Sequence, residues 1–539
     1  MSTITFDLPS LGSGQPPAFV SARGCHDWLA VQPLANPGHA QALMLRQINL
    51  LNRYGIAPGE RLKLLELLRD PIAFAQTESA RKFAGRPLPL APAEQAGMDA
   101  NRTLWQALQT GYLHCLQACL EGSAELRPHA PLIAQRALSA LRAELLDIYR
   151  AATDPPALLW QVLHRVFSAA EQLGALAQPV NDSLQTTHPA SSVAAAYAQT
   201  LMLHRASPYE LSGRQLMQVE RWLHRWGGKV AVLKAPPAEP RVPPLVVDLS
   251  AAAPEAPSEE SGGELRWLDL SDLSRSVKRR ITHLQRGESP ASLGLGEDCV
   301  QPGCENLLRQ LYQQWFKGGA VRQHPRRAGS GSGICRLVTG LEAIHYYLSG
   351  KIFRQPGQGD AMSKTQADEI ATFGRVATRH EEDYSQMQGF LIEEWQVLDE
   401  SATGFRLMRP LAQNGGRIGS GQMVAVMPEG SRSFLLAVAR WSRLAGGAGL
   451  QAGIQIMPGN PLTIALRGTG LAAINEKYRP GFKLPAVPAL KYPESVIVPA
   501  GWFRPGRVID LYEQTSRQIR LTHQLDRGSD FERCTFDNL

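Results

Sequence analysis

Between residues 234 and 263 the composition shifts abruptly to Pro, Ala, Glu and Ser, and the hydrophobic period differs on the two sides of that stretch. This break is the strongest constraint on the fold. Proline removes a backbone donor and fixes φ, and a segment poor in large apolar side chains cannot bury enough surface to offset the entropy lost on ordering. The stretch therefore reads as a linker, extended where proline is dense, with one apolar patch at Leu245, Val246 and Val247 that is expected to dock as a strand. A chain of 539 residues divided in this way is expected to build several domains, each with its own core.

Upstream, from Pro37 to Gly227, the pattern is helical. The spacing predicts helices over His39–Tyr54, Pro58–Leu68, Asn101–Leu120, Ala130–Ala151, Pro156–Leu176, Ser192–His204 and Ser212–Trp226, with Leu and Ala filling the apolar stripes. Antiparallel helices joined by short loops make a bundle or an irregular solenoid, and no repeat of fixed period is present. Leu216, Val219, Trp222 and Trp226 form a stripe expected to face the core, while His204-Arg205 and His224-Arg225 read as solvated faces. Past the linker, Leu265–Arg286 reads as a basic helix with a solvated charged face, and Cys304–Phe316 as a second helix.

The rest of the chain is strand-rich. Residues 334–348 read as a first strand, followed by a polar insertion to about Gln388; residues 421–426, 434–441 and 450–457 come next as strands separated by Gly and Pro turns. Beyond them, residues 491–499, 507–511, 518–521 and 531–536 read as short strands that either extend the first β structure or build a second.

Two motifs in this half carry chemistry. Arg322, Arg326 and Arg327 surround Pro325, which disfavours a helix, so Arg322 and Arg326 can reach different parts of one ligand. The planar guanidinium makes paired hydrogen bonds to phosphate or to guanine O6 and N7, and stacks on purines. Asp399, Ser401 and Gly404 spell D-x-S-x-x-G. There a short carboxylate can accept from N–H donors, a hydroxyl donates or accepts, and a glycine permits close backbone approach. The plainer alternative for each is a capped turn and a solvated basic linker.

Together with the downstream strand order, Val438-x-x-Trp441 and then Gly453-Ile454-Gln455-Ile456, the two motifs resemble the PilZ domain, a small bacterial β-barrel that senses cyclic di-GMP. The likeness covers about residues 321–470. The fold class it implies is multidomain α+β: an N-terminal all-α region, a C-terminal PilZ-like antiparallel β-barrel and an additional β extension. The expected division is a helical bundle over 1–235, the linker over 236–263, a helical pair over 264–320, the barrel over 321–470 with its insertion at about 349–388, and a β-rich extension over 471–539. One departure from the family is the spacing: Asp399 lies 73 positions after Arg326, whereas the family places its second motif about one strand after the first.

The resemblance implies a cyclic di-GMP receptor in which Arg322, Arg326 and Arg327 hold phosphate and guanine, and Asp399, Ser401 and Gly404 hold guanine on the barrel surface. The alternative is a degenerate PilZ adaptor that works through protein contacts alone. The family also implies a protein partner in motility, pilus or exopolysaccharide machinery. No cofactor, metal or DNA partner is expected. The sequence contains no G-x-S-x-G elbow, H-E-x-x-H helix, P-loop or paired C-x-x-C, so an enzyme is not expected. His114, Cys115 and Cys119, and the pair Cys299 and Cys304, lack the partners of a four-ligand zinc site and read as core or loop. A formal net charge of +7 is mild for this length, suiting an anionic ligand better than dedicated nucleic-acid binding. With no signal-like N-terminus, no membrane-length apolar run and seven cysteines in no regular framework, the expected location is the cytoplasm.

Overall fold

The computed structural model describes residues 4–12, 14–185, 190–252, 263–318, 327–328, 333–356, 389–470 and 476–539. The chain divides into two compact units, Met1–Arg86 with Leu90–Arg322, and Pro87–Pro89 with Gln323–Leu539.

The first unit is built on helices α1 (Ala22–Ala30), α2 (Pro37–Leu51), α3 (Pro58–Ala80), α4 (Pro92–Leu120), α5 (Ala130–Arg150) and α6 (Ala157–Gln172). A short arm of β1 (Val180–Asn181) and β2 (Ala190–Ser191) precedes α7 (Val193–Arg205) and α8 (Gly213–Trp226). Strands β3 (Ala231–Leu233), β4 (Leu245–Asp248) and β5 (Leu265–Asp269) form a small antiparallel sheet in the order β3-β5-β4, before α9 (Ser271–Gln285) and α10 (Gly303–Phe316). The helices start where the local chemistry allows. Proline occupies the first turn of α2, α3 and α4, where its missing N–H costs nothing, and Ser212 and Gln215 cap α8 reciprocally.

Helix α4 packs between α3 and α5, and Leu64, Leu68, Leu108, Tyr112, Leu138 and Leu145 are sealed between them. The α8 stripe is core as expected: Trp226 is fully buried and the Trp222 indole donates to the Leu295 carbonyl at 2.9 Å. His204 and His224 correct the reading of solvated faces. His224 is buried, and His204 Nδ1 lies 2.6 Å from the Tyr149 hydroxyl, because both histidines follow the apolar face around the last turn of their helix. The basic helix begins only at Ser271, since Leu265–Asp269 pairs with two strands. Arg280 turns inward over the Trp226 ring, leaving Lys278 and Arg279 exposed. Cys115 and Cys119 lie in the helical core, whereas Cys299 and Cys304 form a disulfide.

The second unit holds two antiparallel barrels. The first contains β6 (Arg327–Ala328), β7 (Ile334–Thr339), α11 (Leu341–Ser349), β8 (Glu393–Ser401), β9 (Gly404–Arg409), β10 (Gln422–Pro428), β11 (Leu435–Ala445) and β12 (Gly449–Ile456). Its strands close in the order β7-β8-β9-β12-β11-β10, and β6 continues along the β7 edge of β8. Residues 334–348, read as one strand, are a strand and a helix. Gly340 sits at φ +90°, in the left-handed region, and breaks the ladder so that Leu341–Ser349 can coil.

The C-terminal strands build a second closed barrel, β13 (Leu462–Gly468), β14 (Arg479–Leu484), β15 (Ser495–Pro499), β18 (Phe531–Asn538), β17 (Ser516–Arg527) and β16 (Val508–Tyr512), in that order round the ring. It has its own aliphatic core around Leu466, Val496, Leu511 and Leu521. A shared cluster joins the barrels: Val338, Ile344, Met423, Leu436 and Val438 pack with Phe482, Leu484, Ile497 and Phe531. The fold class is thus multidomain α+β, helical first and β-barrel last.

Candidate functional site

Asp399, Ser401 and Gly404 lie on the β8–β9 hairpin, whose two-residue loop is Ala402-Thr403. Ser401 pairs with Gly404, and Asp399 with Arg406 across the ladder. The Arg406 Nε is 2.8 Å from Asp399 Oδ2, so a cation already sits against the motif carboxylate. Asp399 is largely buried and Arg406 half-exposed, which gives the pair an open side. A β-bulge between Val397 and Asp399 re-aims the strand just before the motif, the usual effect of one unpaired residue.

Ser401 holds the turn. Its hydroxyl donates to the Gly404 carbonyl at 3.3 Å and accepts from the Thr403 N–H at 3.4 Å. Gly404 has a steric reason: a Cβ there would lie 2.1 Å from the Ile454 carbonyl oxygen on β12, which backbone cannot yield. The motif glycine therefore lets β9 and β12 approach, and the motif serine locks the loop that precedes it.

The arginine motif meets the structure at one residue. Arg322 and Arg326 lie outside the described residues. The Arg327 backbone is in β6, opposite Glu400, and Ala328 is opposite Asp399. Thus the chain leaving the arginine cluster runs alongside the D-x-S segment, although the two are far apart in sequence.

Round the ring, Trp441 pairs with Gly453, and the indole lies flat over the glycine, where a Cβ would sit 2.1 Å from its nitrogen. Arg443 stacks over the Trp441 ring with its guanidinium carbon 5.9 Å from the centroid. The tryptophan and glycine singled out in sequence are therefore one packed pair on neighbouring strands. Arg406 and Arg443 were missed by sequence reasoning. A D-x-S-x-x-G hairpin with a two-residue loop places Arg406 across from Asp399, a signal available in the spacing; Arg443 has no comparable one. Within the polar insertion, Arg379, His380, Glu381, Glu382 and Asp383 form a charged run in sequence, and it lies outside the described residues.

Among the described residues no group of three or more His, Cys, Asp or Glu side chains gathers as a metal cluster, and no helix is long and apolar enough to cross a membrane.

Two family models match the chain. The first, described as Cyclic-di-GMP receptor FimW, N-terminal domain, covers residues 23–237; the second, the FimW C-terminal beta-barrel domain, covers residues 464–539. The chain is also similar to the Cyclic-di-GMP receptor FimW of Pseudomonas aeruginosa, with 24% identity over an alignment spanning 93% of this chain and 88% of that protein. No solved structure matches. The second family model falls on the second barrel, while the D-x-S-x-x-G hairpin lies between the two matched regions.

Proposed function

We propose, for a chain that belongs to the FimW family through both its N-terminal and its C-terminal barrel domain, that it is a receptor for cyclic di-GMP. The ligand is read at the β8–β9 hairpin of the first barrel. The observation that carries this reading is the register of β6 on β8, Arg327 opposite Glu400 and Ala328 opposite Asp399, which brings the arginine-bearing segment to the motif carboxylate. The receptor named in the comparison supports the ligand class.

In this reading Asp399 accepts from guanine N1–H and N2–H groups, and Ser401 adds a hydroxyl contact from its fixed turn. Arg322, Arg326 and Arg327 supply paired hydrogen bonds to phosphate and to guanine O6 and N7, and their flat faces stack on the purine. Arg406 orients Asp399 before ligand arrives, lowering the reorganisation needed on binding. Gly404 keeps the hairpin close to β12. The protein acts as a binding protein, shifting a population of states on ligation, and passes that shift to a protein partner. It works in the cytoplasm.

Calorimetric titration with cyclic di-GMP, cyclic di-AMP and GTP tests the assignment. Micromolar or tighter binding of cyclic di-GMP alone, lost in Arg326→Ala and in Asp399→Ala, is the expected result. A folded wild-type protein that binds none of the three would instead make the chain a PilZ-type adaptor acting by protein contacts.

A further inference from the structure

The first unit contains a cavity of about 360 Å³ at the junction of α7, α10 and the segment leading into β4. Its volume is within the range of small-molecule sites, roughly 300–1,000 Å³. Trp315, Phe316, Leu270 and residues 242–245 line its apolar side, and Arg205, Arg241 and Lys317 stand at its polar side, with no acidic residue in the wall. The apolar side is held in place: the Trp315 indole donates to the Met202 carbonyl at 3.0 Å, pinning α10 to the last turn of α7.

The three cations share one concavity. Two surface arginines of this unit bond carboxylates, Arg309 with Glu305 at 2.8 Å and Arg221 with Asp298 at 2.5 Å. Among the described residues, Arg205, Arg241 and Lys317 have no carboxylate partner. Arg205 closes α7, where a cation is favoured by the helix dipole, and one such residue would need no further account. Three like charges around one concavity repel one another, and low-dielectric walls focus their field into it. That arrangement suits an anion seated against an apolar wall.

We infer that this cavity binds a small organic anion, a phosphate monoester with a flat apolar body. The phosphate is held by Arg205, Arg241 and Lys317, and the body lies along Pro243, Pro244 and Leu245, over a floor that includes Trp315 and Phe316. This is a second site, distinct in residues and in ligand from the hairpin.

The test is titration of the full chain with phenyl phosphate, inorganic phosphate and phenol, followed by calorimetry and by ligand-observed NMR. Saturable one-to-one binding of phenyl phosphate is expected, at least tenfold tighter than either inorganic phosphate or phenol. The affinity falls at least tenfold in an Arg205→Gln/Arg241→Gln variant with unchanged near-UV circular dichroism, and severalfold in Lys317→Gln, whose exposed side chain can be lost without unfolding. Asp399→Ala leaves it unchanged, which separates this site from the cyclic di-GMP reading. The inference is overturned if folded wild-type protein shows no saturable binding, if the variants bind equally well, or if inorganic phosphate binds as tightly as phenyl phosphate.

Discussion

The two barrels share a ring of six antiparallel strands but are stabilised differently. The second is sealed at its centre by an apolar cluster that includes Ile464, Leu466, Val498, Leu511, Leu521 and Cys534, with Glu532 and Arg533 buried in its last strand and Arg533 donating to the Ser495 hydroxyl at 2.9 Å. The first buries a charged pair, Glu393 with Arg409, beneath its strands. Glu393 accepts from the Gly416 N–H at 2.7 Å and from the Trp395 indole at 3.0 Å, while Arg409 donates to the Gly416 carbonyl at 2.9 Å and covers the Trp395 ring. Burying both charges is costly, and the added hydrogen bonds are what make it tolerable. Apolar packing thus dominates the centre of the second barrel. The charges, the bulge and the tight glycine contacts of the first barrel fix particular strands beside a hairpin.

Removing the buried carboxylate should hurt most. Glu393→Ala leaves Arg409 buried without its partner and should cost about 3–5 kcal/mol, read from urea unfolding of the β unit. In the second barrel, Leu521→Ala removes packing alone and should cost roughly 2–5 kcal/mol. The two separate by rescue: adding Arg409→Met to Glu393→Ala should recover much of the loss, and no charge change rescues Leu521→Ala.

Next in size is the hairpin. Gly404→Ala sets a Cβ against the Ile454 carbonyl and should destabilise by roughly 1–3 kcal/mol, by the overpacking route. Asp399→Ala should leave the unfolding midpoint nearly in place, because its Arg406 partner is half-exposed and such pairs contribute little. A larger shift for Asp399→Ala than for Gly404→Ala would show that the motif is structural throughout.

Acid should act through the interface between the barrels. His345, on α11 with its ring 6.4 Å from that of Phe482, has its pKa held below the ordinary histidine value by burial. It is neutral in the fold, so its contribution is complete above the unfolded value of about 6.5 and is lost as pH falls toward the lowered folded value. The urea midpoint of the β unit should therefore drop between pH 7 and 5, and the drop should shrink in His345→Gln. Weakest of all is the pair Arg440 and Asp526, part-exposed and linking the barrels at 2.6 Å, whose double-mutant cycle should yield about 0.2–1 kcal/mol.

Much of the fold was legible in residue order. Helices with clear apolar stripes and short loops, such as Ala130–Arg150 and Gly213–Trp226, match their periodicity within a residue. The first half of α4 was not legible, because Pro92–Ala100 mixes small and polar residues whose helicity comes from its first-turn cap and from packing. Leu265–Asp269 reads as the start of a helix in sequence because five residues cannot separate period 2 from period 3.6. At the site, Asp399, Ser401 and Gly404 are recognisable as a turn motif from their order alone. The partnership of Asp399 with Arg406, and the closeness of β6, needed strand register, which depends on a bulge and on pairing between distant segments. The ring of the second barrel was equally hidden, since short strands reveal neither their partners nor closure.

Whether the hairpin of the first barrel reads cyclic di-GMP is decided by calorimetric titration of wild-type, Asp399→Ala and Ser401→Ala proteins, each confirmed folded by circular dichroism. One-to-one or two-to-one binding by wild type is expected, at least tenfold weaker in Ser401→Ala and absent in Asp399→Ala. Equal binding by all three proteins, or none by wild type, would contradict the assignment.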